Sequence, residues 1–149
     1  PSFSKGRGFQ VSLLQVSTRD TCYLFRLHLT GITPAIIRFL EDKTVPKVGL
    51  SWHDDLLQLH KRAEFKPGYF IELQDEAKKF GLQDMSLQKL YANLFHQKIS
   101  KAQRLSNWEA SELKDSQMAY AATDAWCCIN LYEELLRLKQ VGDYELDEL

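Results

Sequence analysis

Nowhere in this chain does an apolar run approach the roughly 18 residues that a membrane-spanning helix requires. No helical membrane partner is therefore expected, and Pro1 to Gly8 is too polar and basic to resemble a secretory leader. Cysteine is scarce, at three residues, and Cys127 and Cys128 are neighbours, a spacing that suits neither an ordinary disulfide nor a zinc knuckle. All three are expected to be reduced core or near-core residues, which fits an intracellular protein, cytoplasmic or, in a eukaryote, nuclear. Charge of one sign is lacking too. Lys+Arg 19 against Asp+Glu 20 leaves a net charge of -1, so a nucleic-acid partner would have to be held by a local patch or through bound cations. Repeats, low-complexity segments and domain linkers are absent, and so is an initiating methionine: a chain that starts at Pro1 is expected to be a fragment, a processed form or a trimmed piece. What is present is 149 residues, 44% hydrophobic and 11% aromatic, enough for one domain spanning 1–149 with a real core.

Val11 to Ser17 and Cys22 to Leu27 are β-prone runs joined by a turn-like Thr18-Arg19-Asp20-Thr21, and they predict a hairpin. Pro34 then opens an amphipathic stretch carrying Ile36, Ile37, Phe39 and Leu40. Lys47 to Leu50 reads as a short buried strand, a helix begins near Asp54, Tyr69 to Ile71 is another strand, and Gly81 caps the helix that follows. Leu87, Leu90, Tyr91, Leu94 and Phe95 recur at helical spacing, the clearest periodicity in the chain. Ser106-Asn107-Trp108-Glu109 has the spacing of a capping box for a short helical turn, and a long helix runs from about Asp115 to about Lys139 with Trp126 and Tyr132 in the core. The acidic tail from Asp143 is expected to fray. A hairpin followed by alternating strands and helices gives an α/β domain with a mixed sheet.

Two segments carry chemistry. In Tyr120-Ala-Ala-Thr-Asp124-Ala, the tyrosine and the aspartate lie one turn apart on one helix face, and small residues around them let the helix approach a sheet or a substrate closely. Taken alone, this equally describes a buried tyrosine hydroxyl bonded to a helical aspartate. In Gly49-Leu-Ser-Trp-His53-Asp54-Asp55, a strand end and a glycine loop lead to carboxylates in a first helical turn, where plain N-terminal capping is the simpler account. Lys61-Arg62 and Lys78-Lys79 read as solvated helix faces, and the four histidines share no metal-ligand spacing.

Together these segments resemble the DEDDy exonucleases, the family of ribonuclease D and the Werner-syndrome-type exonuclease domain. The resemblance runs through Leu13 to Thr18, Gly49 to Asp55, Ser86-Leu87, Lys101, Ser106-Asn107-Trp108 and Tyr120 to Ala125. It implies a ribonuclease-H-like mixed sheet flanked by helices. It also implies removal of nucleotides from a single-stranded 3′ end of nucleic acid, DNA favoured, by hydrolysis with two Mg²⁺ or Mn²⁺ ions. Such ions stabilise the attacking and leaving oxygens of a phosphodiester together, and hard cations take oxygen ligands. By this resemblance Asp55 and Asp124 are metal ligands, the third and fourth of four carboxylates. Asp55 is preferred to Asp54 because the family places the ligand four residues before a core apolar position, here Leu59. Tyr120 corresponds to the tyrosine that orients the attacking water. Lys101, Arg104 and Trp108 would line the path of the strand, since cationic and aromatic groups together hold phosphates and bases, and His53 is close enough to Asp55 to touch substrate.

The pattern departs in one respect. No Asp-x-Glu stands before the Val11 strand, where the family carries its first two ligands, and Asp143-Tyr144-Glu145 lies beyond the last helix. Pro1-Ser2-Phe3 resembles the segment that follows the catalytic strand, so the central first strand is expected to be missing from this chain. An upstream segment or a second chain would complete the sheet. A non-catalytic nucleic-acid-binding module of the same fold, or a phosphoesterase acting on small nucleotides, are the other readings.

Overall fold

The computed structural model describes residues 2–3, 11–82 and 86–141; Pro1 and the tail containing Asp143-Tyr144-Glu145 lie outside them. β2 (Val11–Ser17) and β3 (Cys22–Arg26) make the expected hairpin, with Leu13 opposite Arg26 and Ser17 opposite Cys22. Thr18 closes its turn: its N–H donates to the Thr21 carbonyl at 2.9 Å, and its hydroxyl accepts from the Thr21 N–H at 3.2 Å. β1 (Ser2–Phe3) pairs antiparallel with the other side of β2. β4 (Lys47–Gly49) and β5 (Phe70–Glu72) pair in parallel. Among the described residues no ladder joins β4 to the three-stranded sheet. The expected mixed sheet is thus present as an antiparallel piece and a parallel piece, each with backbone groups on an edge that a further strand can pair with.

Local chemistry sets most of the helices. α1 (Leu27–Thr30) is one turn that periodicity did not announce, and it continues directly from β3. Arg62 holds it to β2, donating to the carbonyls of Leu27 at 2.9 Å and Val11 at 3.2 Å, so this arginine ties backbone together rather than lying on a solvated face. α2 (Pro34–Glu41) starts with proline in its first turn and Thr33 as N-cap, the hydroxyl accepting from Ile36 N–H at 3.3 Å. α3 (Trp52–His60) starts two residues before the expected Asp54. α4 (Leu73–Lys78) ends before Gly81, which takes the left-handed conformation at φ 82. α5 (Leu87–Phe95) is capped by the Ser86 hydroxyl. α6 (Asp115–Val141) is the long helix. No described helix is long and apolar enough to cross a membrane. Ser106 caps nothing: its hydroxyl donates to the Gln103 carbonyl and accepts from Gln117, so the expected capping box is absent.

Three apolar clusters meet on α6 and β2. Leu14 joins Leu27, Ile36, Leu40 and Leu59 beneath the antiparallel piece. Leu13 joins Ala121 and Trp108 on its other side. Cys127, Leu131 and Leu135 bury the lower half of α6 against Leu73, Ala77, Leu90 and Tyr91 of α4 and α5, with Tyr132 packed alongside as expected. Trp126 departs from expectation: it is 42% exposed, because it lies on the face of α6 that no other element covers fully.

Gly68 shapes the approach to β5. Its N–H donates to the Leu40 carbonyl at 2.9 Å, and a Cβ there would lie 2.3 Å from the Asp42 carbonyl oxygen and 2.6 Å from that of Glu41. Both are backbone atoms and cannot swing aside. Gly68→Ala is expected to cost on the order of 1–3 kcal/mol, read as a lower urea midpoint at unchanged slope; an unchanged midpoint would mean that the turn yields freely.

Candidate active site

The chain leaves β4 at Gly49 with no room for a side chain, since a Cβ there would stand 2.5 Å from the Trp52 indole. Ser51 turns through the left-handed region, φ 65 and ψ 41, and makes no side-chain cap. The cap comes instead from Glu72 at the end of β5. Its two carboxylate oxygens accept the N–H groups of Ser51 at 2.8 Å and Trp52 at 2.7 Å. Capping by Asp54 or Asp55 is thereby displaced, and neither carboxylate has a capping bond to the helix backbone. Asp54 points to solvent, whereas Asp55 is half-buried. Burial, with the charges of Glu72 and Asp54 adding, pushes the Asp55 carboxyl up to about 6.

On α6, Asp124 is half-buried and its carboxyl is likewise pushed up to about 6, chiefly by burial. One of its oxygens, Oδ1, is fully buried without a hydrogen-bond partner among the described residues. The Tyr120 hydroxyl interacts with this carboxylate. Burial and the Asp124 charge raise the phenol above its ordinary value, while the Arg104 charge opposes them. The region near Asp124 is also the region of Glu72: both carboxylates add to the burial and the Cys127 charge that push the Cys128 thiol up to about 12. Glu72 therefore acts on Asp55 to one side and on the turn of α6 after Asp124 to the other.

The start of α6 is set by Gln117, which is buried and fully used. Its amide donates to the Ser106 hydroxyl at 3.1 Å and the Asn107 carbonyl at 2.9 Å, and accepts from Lys114 N–H at 2.9 Å. Arg26 of β3 reaches the same loop, donating to the carbonyls of Trp108, Ala110 and Ser111. These anchors push Trp108 inward. It is 2% exposed, its ring centroid 6.0 Å from that of Tyr120, its indole N–H donating to the Arg104 carbonyl. The expected base-stacking contact is corrected accordingly, since Trp108 is core behind Tyr120 and has no free face. Arg104 is exposed with its charge felt at Tyr120, and Lys101 and His53 are exposed. Glu72 and Gln117 carry the geometry but were not singled out by the sequence; Glu72 in particular acts across a separation of 20 residues, beyond the reach of local spacing.

Comparison with known proteins shows the family and the fold. A family model described as 3′-5′ exonuclease matches residues 4–139. The chain belongs to the 3′-5′ exonuclease family. It is 34% identical over 131 residues to exonuclease 3′-5′ domain-containing protein 2 of Drosophila melanogaster, covering 85% of this chain and 22% of that protein. It is 29% identical over 141 residues to the bifunctional 3′-5′ exonuclease/ATP-dependent helicase of Mus musculus, covering 91% of this chain and 10% of that one. The chain thus spans about a fifth or less of the length of these curated relatives. In fold it is similar to Escherichia coli RNase D, an exoribonuclease involved in structured RNA processing, with a TM-score of 0.81 at 20% identity over 95% of this chain and 38% of that one. The ribonuclease-H-like fold follows.

Metal dependence is general for this exonuclease family. The donors on this chain suit a hard cation. Asp55 and Asp124 offer carboxylate oxygen, and the unpartnered Oδ1 of Asp124 is a buried acceptor waiting for a positive partner. Among the described residues no group of three ligating side chains converges.

Both carboxyls stand at about 6 in the fold against roughly 4 in an unfolded chain. A raised folded value means that the associated stability is complete in acid and is lost as pH rises through about 6. Metal-free protein is expected to melt at a lower temperature at neutral pH than in mild acid. Asp124→Asn should raise the neutral-pH melting temperature and flatten the pH dependence in calorimetry. A fall in stability on this substitution at neutral pH would contradict the burial argument.

Proposed function

We propose that this domain removes nucleotides one at a time from a single-stranded 3′ end of nucleic acid, DNA favoured, by metal-dependent phosphodiester hydrolysis. The observation that carries the reading is the pair of half-buried carboxylates, Asp55 beside the Glu72 charge and Asp124 beside the Tyr120 hydroxyl. In each turnover a bond forms between a water oxygen and the terminal phosphorus, and the bond from that phosphorus to the 3′ oxygen of the preceding nucleotide breaks. The products are a nucleoside 5′-monophosphate and a new 3′-hydroxyl. Two Mg²⁺ or Mn²⁺ ions, held in part by Asp55 and Asp124, would supply charge stabilisation at the attacking and leaving oxygens.

The residues of this chain do the positioning. Tyr120, its phenol raised by burial, keeps its proton at neutral pH and orients the attacking water as a neutral hydrogen-bonding group. Arg104 faces the same place and would take a substrate phosphate. Lys101 and His53, both exposed, are assigned to the strand's approach. The two remaining carboxylates of the family set would come from a strand, on an upstream segment or a second chain, pairing between the antiparallel and parallel pieces. The unjoined edges of those pieces support that placement. Preference for DNA rests on the resemblance of this single domain to the Werner-type exonuclease domains, and RNA is the competing substrate. The reduced cysteines support an intracellular setting, cytoplasmic or nuclear.

A non-catalytic nucleic-acid-binding module of the same fold is favoured by one observation, the absence of a three-ligand cluster among the described residues. A 5′-labelled oligonucleotide separates the two readings. Full-length natural protein is expected to shorten it to a ladder in Mn²⁺, with Asp124→Ala inactive and the DNA and RNA versions compared directly. Retarded but uncut oligonucleotide would establish the binding module instead. Tyr120→Phe is expected to lower turnover by roughly 10²- to 10⁴-fold with Mn²⁺ binding retained in calorimetry. Loss of that binding would rule out an orienting role.

A further inference from the structure

Glu72 is used more completely than a structural cap requires. Gly49 lies opposite it in the parallel pair, so its side chain stands beside the chain as it leaves β4. Oε1 accepts from Ser51 N–H at 2.8 Å and Gln74 N–H at 3.2 Å, and Oε2 accepts from Trp52 N–H at 2.7 Å. Ser51 is the residue held in the left-handed region, a conformation that serine does not favour and that its own side chain does nothing to stabilise here. The first helical bond beyond it runs from Asp55 N–H to the Ser51 carbonyl at 3.4 Å. The rotation of Asp55 about α3 is therefore inherited from the Ser51 turn, and the Ser51 turn is held by Glu72.

We propose that Glu72 is the positioning residue for Asp55: by clamping the Ser51 and Trp52 amides from the neighbouring strand, it aims Asp55 at the face of α6 that carries Asp124. The proposal rests on the nuclease reading above for its purpose, though not for its geometry. Only a carboxylate serves both amides, because it accepts through both oxygens. A glutamine would meet one N–H with its own NH₂, and an aspartate is one methylene short of reaching both.

The test compares Glu72→Gln, Glu72→Asp and Glu41→Gln in the full-length natural protein. Glu41 is the control, since its carboxylate accepts Lys66 N–H at 2.9 Å from the end of α2, a backbone cap outside the candidate site. Three quantities are read: amide exchange at Ser51 and Trp52 without metal, Mn²⁺ affinity by calorimetry, and kcat against KM on the oligonucleotide. Glu72→Gln is expected to lose protection at one of the two amides and to weaken Mn²⁺ binding by roughly 10- to 100-fold, the range usual for residues that orient metal ligands. At fixed Mn²⁺ its kcat should fall while KM for the oligonucleotide holds. Glu41→Gln should leave Mn²⁺ affinity at the wild-type value. Unchanged amide protection or unchanged Mn²⁺ affinity in Glu72→Gln overturns the proposal, as does an equal loss of affinity in Glu41→Gln. Should the glutamine variant not fold, Glu72→Asp carries the same comparison. If the wild-type protein binds no Mn²⁺, the nuclease reading falls separately, and exchange alone decides: protection kept in the Glu72 variant overturns the clamp, and protection lost supports it.

Discussion

The contact of Ala121 with Leu13 is the constraint from which the candidate site follows. α6 has to lie against a sheet and against two other helices at once, and the two sheet pieces share no hydrogen bond among the described residues. A residue larger than alanine at a fully buried point of that contact would lift the helix away. One turn on from Ala121 comes Asp124, and one position before it Tyr120, so the distance at which α6 sits from the sheet is also the depth at which the carboxylate and the phenol are buried. Trp108 completes the arrangement from behind, filling the space beneath Tyr120 and leaving the hydroxyl facing Asp124.

That depth has an electrostatic consequence. Burying a carboxylate disfavours its charged form, and a fold selected for stability alone would give the group a donor or replace it. Asp124 keeps a buried oxygen with no described donor, and Asp55 is pushed the same way with two further carboxylates adding to the effect. Strain of this kind is a feature of sites arranged for a ligand, because the missing partner is what the ligand brings. Glu72 sharpens the argument. Since it takes the amides at the start of α3, neither Asp54 nor Asp55 is needed there, and the simplest structural explanation for a carboxylate in that turn no longer applies to Asp55.

Much of this was legible in the sequence wherever the information was local. The β2–β3 hairpin, the stripe of α5 and the tyrosine and aspartate of α6 are written in spacings of two, three and four residues, and the structure follows them. What was not legible is long-range. Glu72 acts over 20 residues, through the register of a parallel strand pair that no local pattern encodes. The two exposed-or-buried tryptophan assignments were reversed for a related reason. Trp108 sits in a polar, basic connection, but Arg26, 82 residues away, and Gln117, at the start of the next helix, fold that connection inward. Trp126 looked like core because it lies on a long helix, yet a helix covered on part of its circumference leaves some large residues in solvent.

The proposed function asks a protein with net charge -1 to deal with a polyanion. The charges of Glu72 and Asp54 act on Asp55, those of Glu72 and Asp124 both reach Cys128, and a bare phosphate would be repelled beside these carboxylates. Arg104 lies close enough to oppose Asp124 at the Tyr120 hydroxyl, but one exposed guanidinium does not neutralise several carboxylates. Divalent cations bound at these carboxylates would invert the charge of the region. Under the proposed function, nucleic-acid recognition would be conditional on cation binding, and so on the protonation state of Asp55 and Asp124, with no need of a basic surface.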